Sequence, residues 1–242
     1  MLSGIRLAKP LTAVIVCCSL SWNVMAAPAA KSDKTADVKV ISLAEREAAN
    51  ELSSLLSGVK TLSAKFDQQT LDDGGRKLQQ SHGTMLLKRP DLFRWSVVEP
   101  FPQEVVSDGS RISYYDKDLD QVTLQDLDQR TSATPALLLS GDSTRMLGEF
   151  LVKMSKADSS HLFTLIPKNT DSPFQELQLY FKGKTLEEMS LLDTLGSRTR
   201  IQFSDVKQNI KAKDKDFELY VPPGTDVIDQ TSVALNPSAV KK

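Results

Sequence analysis

Beyond Leu62 the apolar residues of this chain fall on alternate positions, and that period of two constrains the fold more than any other feature. Ala64, Phe66 and Gln68 lead. Met85 and Leu87 share a face, as do Phe93, Trp95 and Val97. Leu177, Leu179 and Phe181 follow, then Thr199, Ile201 and Phe203, and last Phe217, Leu219 and Val221. Turn residues divide many of these runs at roughly 8–12 residue intervals, the rhythm of an antiparallel sheet or barrel. Asp73-Gly74-Gly75 reads as a hairpin turn, because glycine reaches the positive φ that tight hairpins need. Strands do not alternate with helices, so nothing points to a parallel sheet.

Two stretches break the period. Ser42 stands three residues before Glu45, the spacing of a capping box. Leu43, Ala48, Leu52, Leu55, Leu56 and Val59 then give a helix one apolar side, ending near Gly58. Between the later strands, Thr134 can cap a short helix that Pro135 opens, and Ala136 to Leu139 are wholly apolar. A second short helical piece is expected from Ser143 to about Phe150. Periodicity alone therefore supports a β-rich domain with helices on one face.

The first residues read as a secretory signal. Arg6 and Lys9 precede an apolar run from Leu11 to Leu20, and Val24-Met25-Ala26 offers small residues for cleavage. That run is about half the roughly 20 residues a membrane-spanning helix needs, so the mature chain is expected to be soluble. Cys17 and Cys18 both lie inside the signal, and Ile15 and Val16 are bulkier than a lipid-attachment signal wants. Cleavage after Ala26 leaves no cysteine, and with it no disulfide, thiol catalysis or thiolate metal site. It also shifts the charge: 30 basic against 31 acidic residues become 28 against 31 once Arg6 and Lys9 are gone. A mildly acidic chain with no basic stripe is a poor partner for nucleic acid. The expected division is a signal at 1–26, a flexible leader at 27–41, one domain at 42–229 and a loose tail at 230–242.

Catalytic signatures are weak. His82 and His161 each sit in a strand-like run with no second histidine at ligand spacing, so no metal is expected. Gly141-Asp142-Ser143-Thr144-Arg145 lacks the closing glycine of a nucleophile elbow, and no glycine-rich loop leads into a helix to hold phosphate. Asp116, Asp118 and Asp120 have the spacing of a calcium loop without its glycine or distal glutamate, and Asp72-Asp73 and Glu187-Glu188 read as turns and solvated faces. The chain is not expected to be an enzyme or to carry a cofactor. A lipid hydrolase would lose turnover on Ser143→Ala or His161→Ala, to which a carrier is indifferent.

Arg89 is the more informative position. Pro90 restricts its backbone to extended geometry, and Leu86, Leu87, Leu92 and Phe93 surround it with apolar sequence. Its guanidinium either finds buried acceptors for its five donors or snorkels to water. The residues leave both open.

Lys88-Arg89-Pro90-Asp91-Leu92-Phe93-Arg94-Trp95 is followed by Val106-Ser107-Asp108-Gly109, Tyr115 to Thr123, Thr134-Pro135-Ala136-Leu137-Leu138-Leu139, Gln202 to Val206 and Val221-Pro222-Pro223-Gly224. In this order and spacing the motifs closely resemble the LolA family of periplasmic outer-membrane lipoprotein carriers, over residues 43–229. The resemblance implies an unclosed antiparallel β-barrel, a strongly curved sheet covered by a few short helices that form a lid over a hydrophobic cavity. It implies that Arg89 bonds backbone carbonyls near Thr134 to Leu139 and latches that lid. Phe93 would lie near the cavity mouth with Trp95 on the same strand face. Pro135, Leu137, Leu138 and Leu139, with Leu52 and Leu55, would form lid and wall. Core packing is the plain alternative for each of these apolar residues.

By the same resemblance, the chain is a monomeric periplasmic chaperone. It would take acylated lipoproteins from an inner-membrane lipoprotein-releasing ABC transporter and deliver them to an outer-membrane receptor. A periplasmic lipoprotein-sensing or regulatory module on a related fold is the alternative. One departure from the family pattern is Ser113, where a tryptophan is expected, which leaves Trp95 the lone tryptophan of the mature chain.

Overall fold

The computed structural model describes residues 42–127, 139–141 and 147–232. Alternation does what the sequence period demands. In β1 (Thr61–Leu71) Leu62, Ala64 and Phe66 are buried while Lys65 and Asp67 face water. The chain reverses through Asp72 to Arg76, where Asp72 accepts the Arg76 N–H at 2.7 Å and Gly75 adopts φ 80°. It returns as β2 (Lys77–Lys88), in register from Thr61 opposite Lys88. Hairpins continue through β3 (Leu92–Glu99), β4 (Gln103–Asp108), β5 (Arg111–Asp116) and β6 (Gln121–Asp126). After the segment around 139–141 come β7 (Phe150–Ala157), β8 (Ser160–Pro167), β9 (Phe174–Lys182), β10 (Thr185–Asp193) and β11 (Arg198–Gln208).

β11 pairs back onto β1, so the order across the sheet is β6-β5-β4-β3-β2-β1-β11-β10-β9-β8-β7. Every one of these neighbours is antiparallel. A last strand, β12 (Asp226–Asp229), adds to the β6 edge and runs parallel to it. β12 and β7 are the two free ends, so the sheet is unclosed, as the resemblance implies.

The inward side chains make one core. Phe66 stacks on Trp95 with ring centroids 3.8 Å apart, and Phe163 meets Phe181 edge-on at 5.8 Å. The helix α1 (Leu43–Ser57) packs into this core by Ala48, Leu52 and Leu56, and lies against β7. The capping box forms as expected: Ser42 Oγ accepts the Glu45 N–H, and the Glu45 carboxylate accepts the Ser42 N–H at 2.8 Å. Among the described residues no helix is long and apolar enough to cross a membrane.

Three expectations change. Phe217, Leu219 and Val221 are not a strand. Phe217 ends a 3₁₀ turn (Asp214–Phe217), and the residues after it run unpaired toward Pro222-Pro223, which have no N–H to give a ladder. Phe150 opens β7 instead of ending a helix, although residues 147–148 are helical. Gln230 and Ser232, expected to begin a loose tail, are hydrogen-bonded to β6: Gln230 donates its N–H to the Leu124 carbonyl at 2.9 Å and Ser232 its N–H to Asp126 at 2.7 Å. The expected signal and leader at 1–41, the rest of the tail, and most of the two short helices lie outside the described residues.

Candidate functional site

Three chain segments meet where β2 ends. Arg89 donates its backbone N–H to the Lys60 carbonyl at 2.9 Å and its Nε to the Val59 carbonyl at 3.0 Å. Its Nη1 donates to the Gly141 carbonyl in a short contact. One guanidinium thus joins the residue just past α1, the β2–β3 turn and the segment 139–141. Asp91 repeats the tie: its N–H donates to the Ser140 carbonyl at 3.1 Å, and its own carbonyl accepts Ser107 Oγ at 2.7 Å. Asp91 has φ 63°, a left-handed conformation that aspartate tolerates better than most residues. From the other side Asn209, at the end of β11, accepts the Lys60 N–H at 2.8 Å and donates to the Gly58 carbonyl at 3.0 Å. Two carbonyls just past the end of α1 are in this way taken up by side chains just past the ends of β2 and β11.

Arg89 is half-buried between two spaces. Inward is a cavity of about 20 Å³ lined by Leu55, Leu56, Val59, Leu62, Leu87, Leu139, Phe181 and Leu186, with Gln208 at its border. That is room for little more than one water molecule. Outward is an open groove of about 930 Å³, bordered by Lys60, Thr61, Lys88, Pro90, Gly141 and Asn209. Arg89 borders both.

Of the residues expected at the site, Arg89, Leu55 and Leu139 come together at the cavity. Leu52 is fully buried on the same helix and Trp95 lies under Phe66; neither borders the cavity. Phe93 sits opposite Leu87, which does border it, and is buried without bordering the cavity itself. Pro135, Leu137 and Leu138 lie outside the described residues. The expected bond from Arg89 to a carbonyl near Thr134–Leu139 reaches Gly141, two residues further on, and a second carbonyl, Val59, was not anticipated. Phe181 and Leu186 have the strand alternation as their signal. Asn209 has none.

His82, on β2, has Nε2 3.7 Å from Glu99 across the pairing with β3. His161, on β8, faces α1 with Nε2 3.7 Å from Glu51 and stacks on Phe163 at 6.1 Å. Among the described residues no group of acidic, histidine or cysteine side chains is placed to hold a metal ion. Asp116 and Asp120 hold their turn: Asp116 accepts the N–H groups of Asp118 and Leu119, both at 3.0 Å, and Asp120 accepts the Tyr115 hydroxyl at 3.1 Å.

Residues 57–220 match the family model described as outer membrane lipoprotein carrier protein LolA. The chain belongs to this family. Among LolA relatives, the outer-membrane lipoprotein carrier protein of Chromohalobacter salexigens is 43% identical over 185 residues, 76% of this chain and 88% of its own. That of Pseudomonas syringae pv. syringae is 44% identical over 179 residues, 74% of this chain and 86% of its own. A solved LolA superfamily protein from Nitrosomonas europaea, 12% identical, aligns over 74% of this chain and 99% of its own with a TM-score of 0.44. The family model spans both sides of the Arg89 tie, from the end of α1 through β11.

Proposed function

We propose that this protein is a periplasmic carrier that shields the acyl chains of lipoproteins from water between two membranes. It receives them from an inner-membrane lipoprotein-releasing ABC transporter and hands them to an outer-membrane receptor. The observation that carries this reading is the position of Arg89, between an apolar cavity and an open groove, bonded to carbonyls on both sides of the gap.

The cavity as it stands has no room for an acyl chain, so the cargo-bearing form must be wider. Widening requires the segment 139–141 and the end of α1 to part from the β2–β3 turn, and Arg89 holds both. Leu52, Leu55, Phe93, Trp95 and Leu139, with Pro135, Leu137 and Leu138, then become the surface that acyl chains cover. Hydrogen bonds to a charged group contribute about 1.5–3 kcal/mol each, so Arg89 sets an opening cost that ligand binding must exceed.

The test is a titration of the mature protein with a hydrophobic fluorescent probe, challenged with a triacylated lipopeptide, following Trp95 emission. Wild type should bind the probe stoichiometrically and release it to the lipopeptide. Arg89→Leu should bind the lipopeptide about tenfold or more tightly, the factor that corresponds to losing roughly 1.4 kcal/mol of opening cost. No probe binding and an unresponsive Trp95 would mean a core that stays filled, and the carrier reading would be abandoned.

A further inference from the structure

The open groove outside Arg89 carries a charge pattern that shielding acyl chains does not require. Of the ten described residues that border it, three are cationic, Lys60, Lys88 and Arg89, and none is acidic. The whole chain has 31 acidic residues against 30 basic ones, so composition does not account for this. Lys211 and Lys213 are two further exposed lysines, one on each side of Ala212, whose carbonyl accepts Lys88 Nζ at 3.4 Å. The backbone around these cations is fixed. The Lys60 N–H donates to Asn209 at 2.8 Å, the Lys60 carbonyl accepts the Arg89 N–H at 2.9 Å, and Thr61 Oγ1 donates to the Ile210 carbonyl at 2.7 Å.

Neutralising the end of α1 does not explain the lysines. A helix C-terminus attracts cations, and the last turn of α1 holds no basic residue of its own. Yet the Gly58 and Val59 carbonyls beyond it are taken by Asn209 and Arg89. Among the described residues nothing bonds to the Lys60 ammonium. Lys88 reaches a carboxylate instead: its Nζ lies 2.6 Å from Asp214, whose side chain is 82% exposed against 31% for Lys88. A carboxylate of the chain itself thus sits on a cation that lines the groove. An ion pair so open to water is weak and exchanges for another carboxylate at little cost.

From this arrangement we infer that the groove is an anion-binding subsite for cargo, and that it takes aspartate and glutamate carboxylates from the peptide that follows the acylated cysteine. The inference rests on the carrier reading. Arg89 borders both cavity and groove, so acyl chains lodged in the cavity leave the cysteine at Arg89 and the peptide beyond it in the groove. The volume of about 930 Å³ is at the upper end of the roughly 300–1,000 Å³ of small-molecule sites, room for a short peptide segment. Carboxylates entering there replace Asp214 on Lys88 and give Lys60 a partner. Lysine is a point charge on a flexible stem, so the subsite reads charge and not one sequence.

Three triacylated lipopeptides test this, alike in acyl chains and in a serine after the cysteine, then continuing with four aspartates, four serines or four lysines. Their affinities for wild type, Lys60→Gln/Lys88→Gln and Asp214→Asn would be measured by displacement of the fluorescent probe. Unfolding midpoints check that each variant is folded. The readout is the ratio of affinities, which a change in the cavity alone leaves where it was. Wild type should bind the aspartate peptide about fivefold or more tightly than the serine peptide, as a few exposed ion pairs provide, and the lysine peptide most weakly. These ratios should fall toward one as NaCl rises from about 50 to about 500 mM. Lys60→Gln/Lys88→Gln should lose the preference at low salt, and Asp214→Asn, which frees Lys88, should raise it about twofold. Equal affinity of wild type for all three peptides, or a preference kept by Lys60→Gln/Lys88→Gln, would overturn the subsite and leave the carrier reading standing. A wild type that binds none of the peptides would remove the carrier reading and the subsite with it. Dihexanoyl phosphatidylglycerol binding to wild type but not to Lys60→Gln/Lys88→Gln, with aspartate and serine peptides bound alike, would give the groove to a lipid phosphate and overturn the assignment to cargo.

Discussion

Gly83 marks the tightest backbone approach at the centre of the sheet. A Cβ built there would lie 1.9 Å from the Ser96 carbonyl oxygen of β3 and 2.9 Å from Phe66 Cζ. The carbonyl is backbone and cannot swing aside, so β3 itself would have to shift, and with it Trp95 and its stack on Phe66. The pairing of β2 with β3 already slips by one position between His82 and Gly83. Gly83→Ala should therefore cost about 1–3 kcal/mol or more, as overpacking does, and lower the unfolding midpoint of a domain this size by roughly 2–12 °C. Thermal unfolding followed by Trp95 fluorescence checks this, and an unchanged midpoint would mean that the two strands separate freely. Residues of this kind divide sharply in how legible they are from sequence. Phe66, Leu87, Phe93 and Trp95 announce their burial by alternation, since a strand has only two faces. The acceptors of Arg89 do not, because a backbone carbonyl is present at every residue. Which one is reached depends on how segments 30 and 52 residues away fold beside it.

The C-terminal arm is an element that sequence pattern misread, and Arg94 explains why it lies where it does. Arg94 points to the outer face of β3. Its Nε donates to the Asp216 carbonyl at 2.9 Å and its Nη2 to the Glu218 carbonyl at 2.6 Å. Nη1 makes a short bond to Glu104, which also accepts Lys117 Nζ at 2.7 Å. The arm is thereby strapped across β3 and β4 on the side away from the main core. Phe217 is 1% exposed there, on a face where Val106, Tyr115 and Val122 are also buried apart from that core. The alternation of Phe217, Leu219 and Val221 mimics a strand because period two records only which side chains point one way. It does not record whether a neighbouring strand exists to take the N–H groups. Replacing Arg94 by methionine removes three bonds while keeping the stem, and leaves Glu104 with Lys117. Amide exchange across 213–226 should then accelerate, and trypsin should cut at Lys213 or Lys215 about tenfold faster, while the central strands stay protected. Protection unchanged across the arm would show that Phe217 and the β12 pairing suffice to hold it.

At the scale of the whole molecule, an unclosed sheet can widen where a closed barrel is fixed by its strand number and stagger. Its edges are managed without closure: α1 lies against β7, and β12 is only four residues with an aspartate at each end. In the proposed carrier, burying one sixteen-carbon chain would contribute about 12 kcal/mol at roughly 0.8 kcal/mol per methylene. Three such chains, fully buried at no cost, would sum to about 36 kcal/mol, beyond the roughly 18–21 kcal/mol at which noncovalent affinity saturates, and would never be released. On the carrier reading proposed above, the closed form holds that sum down, since apolar contacts of Leu55, Leu56, Val59 and Leu139 and the bonds of Arg89 are given up first. This sets a prediction that only the linkage between opening, binding and unfolding can make. Triacylated lipopeptide at about 100 times its dissociation constant should stabilise wild type by roughly 2.7 kcal/mol, raising the midpoint by about 5–11 °C. Arg89→Leu without ligand should unfold at a lower temperature than wild type, having lost part of the closed form. At one fixed lipopeptide concentration it should gain more degrees, because its apparent affinity is no longer reduced by the cost of opening. Equal gains in the two proteins would separate Arg89 from that cost and place the restraint on opening in the apolar contacts alone.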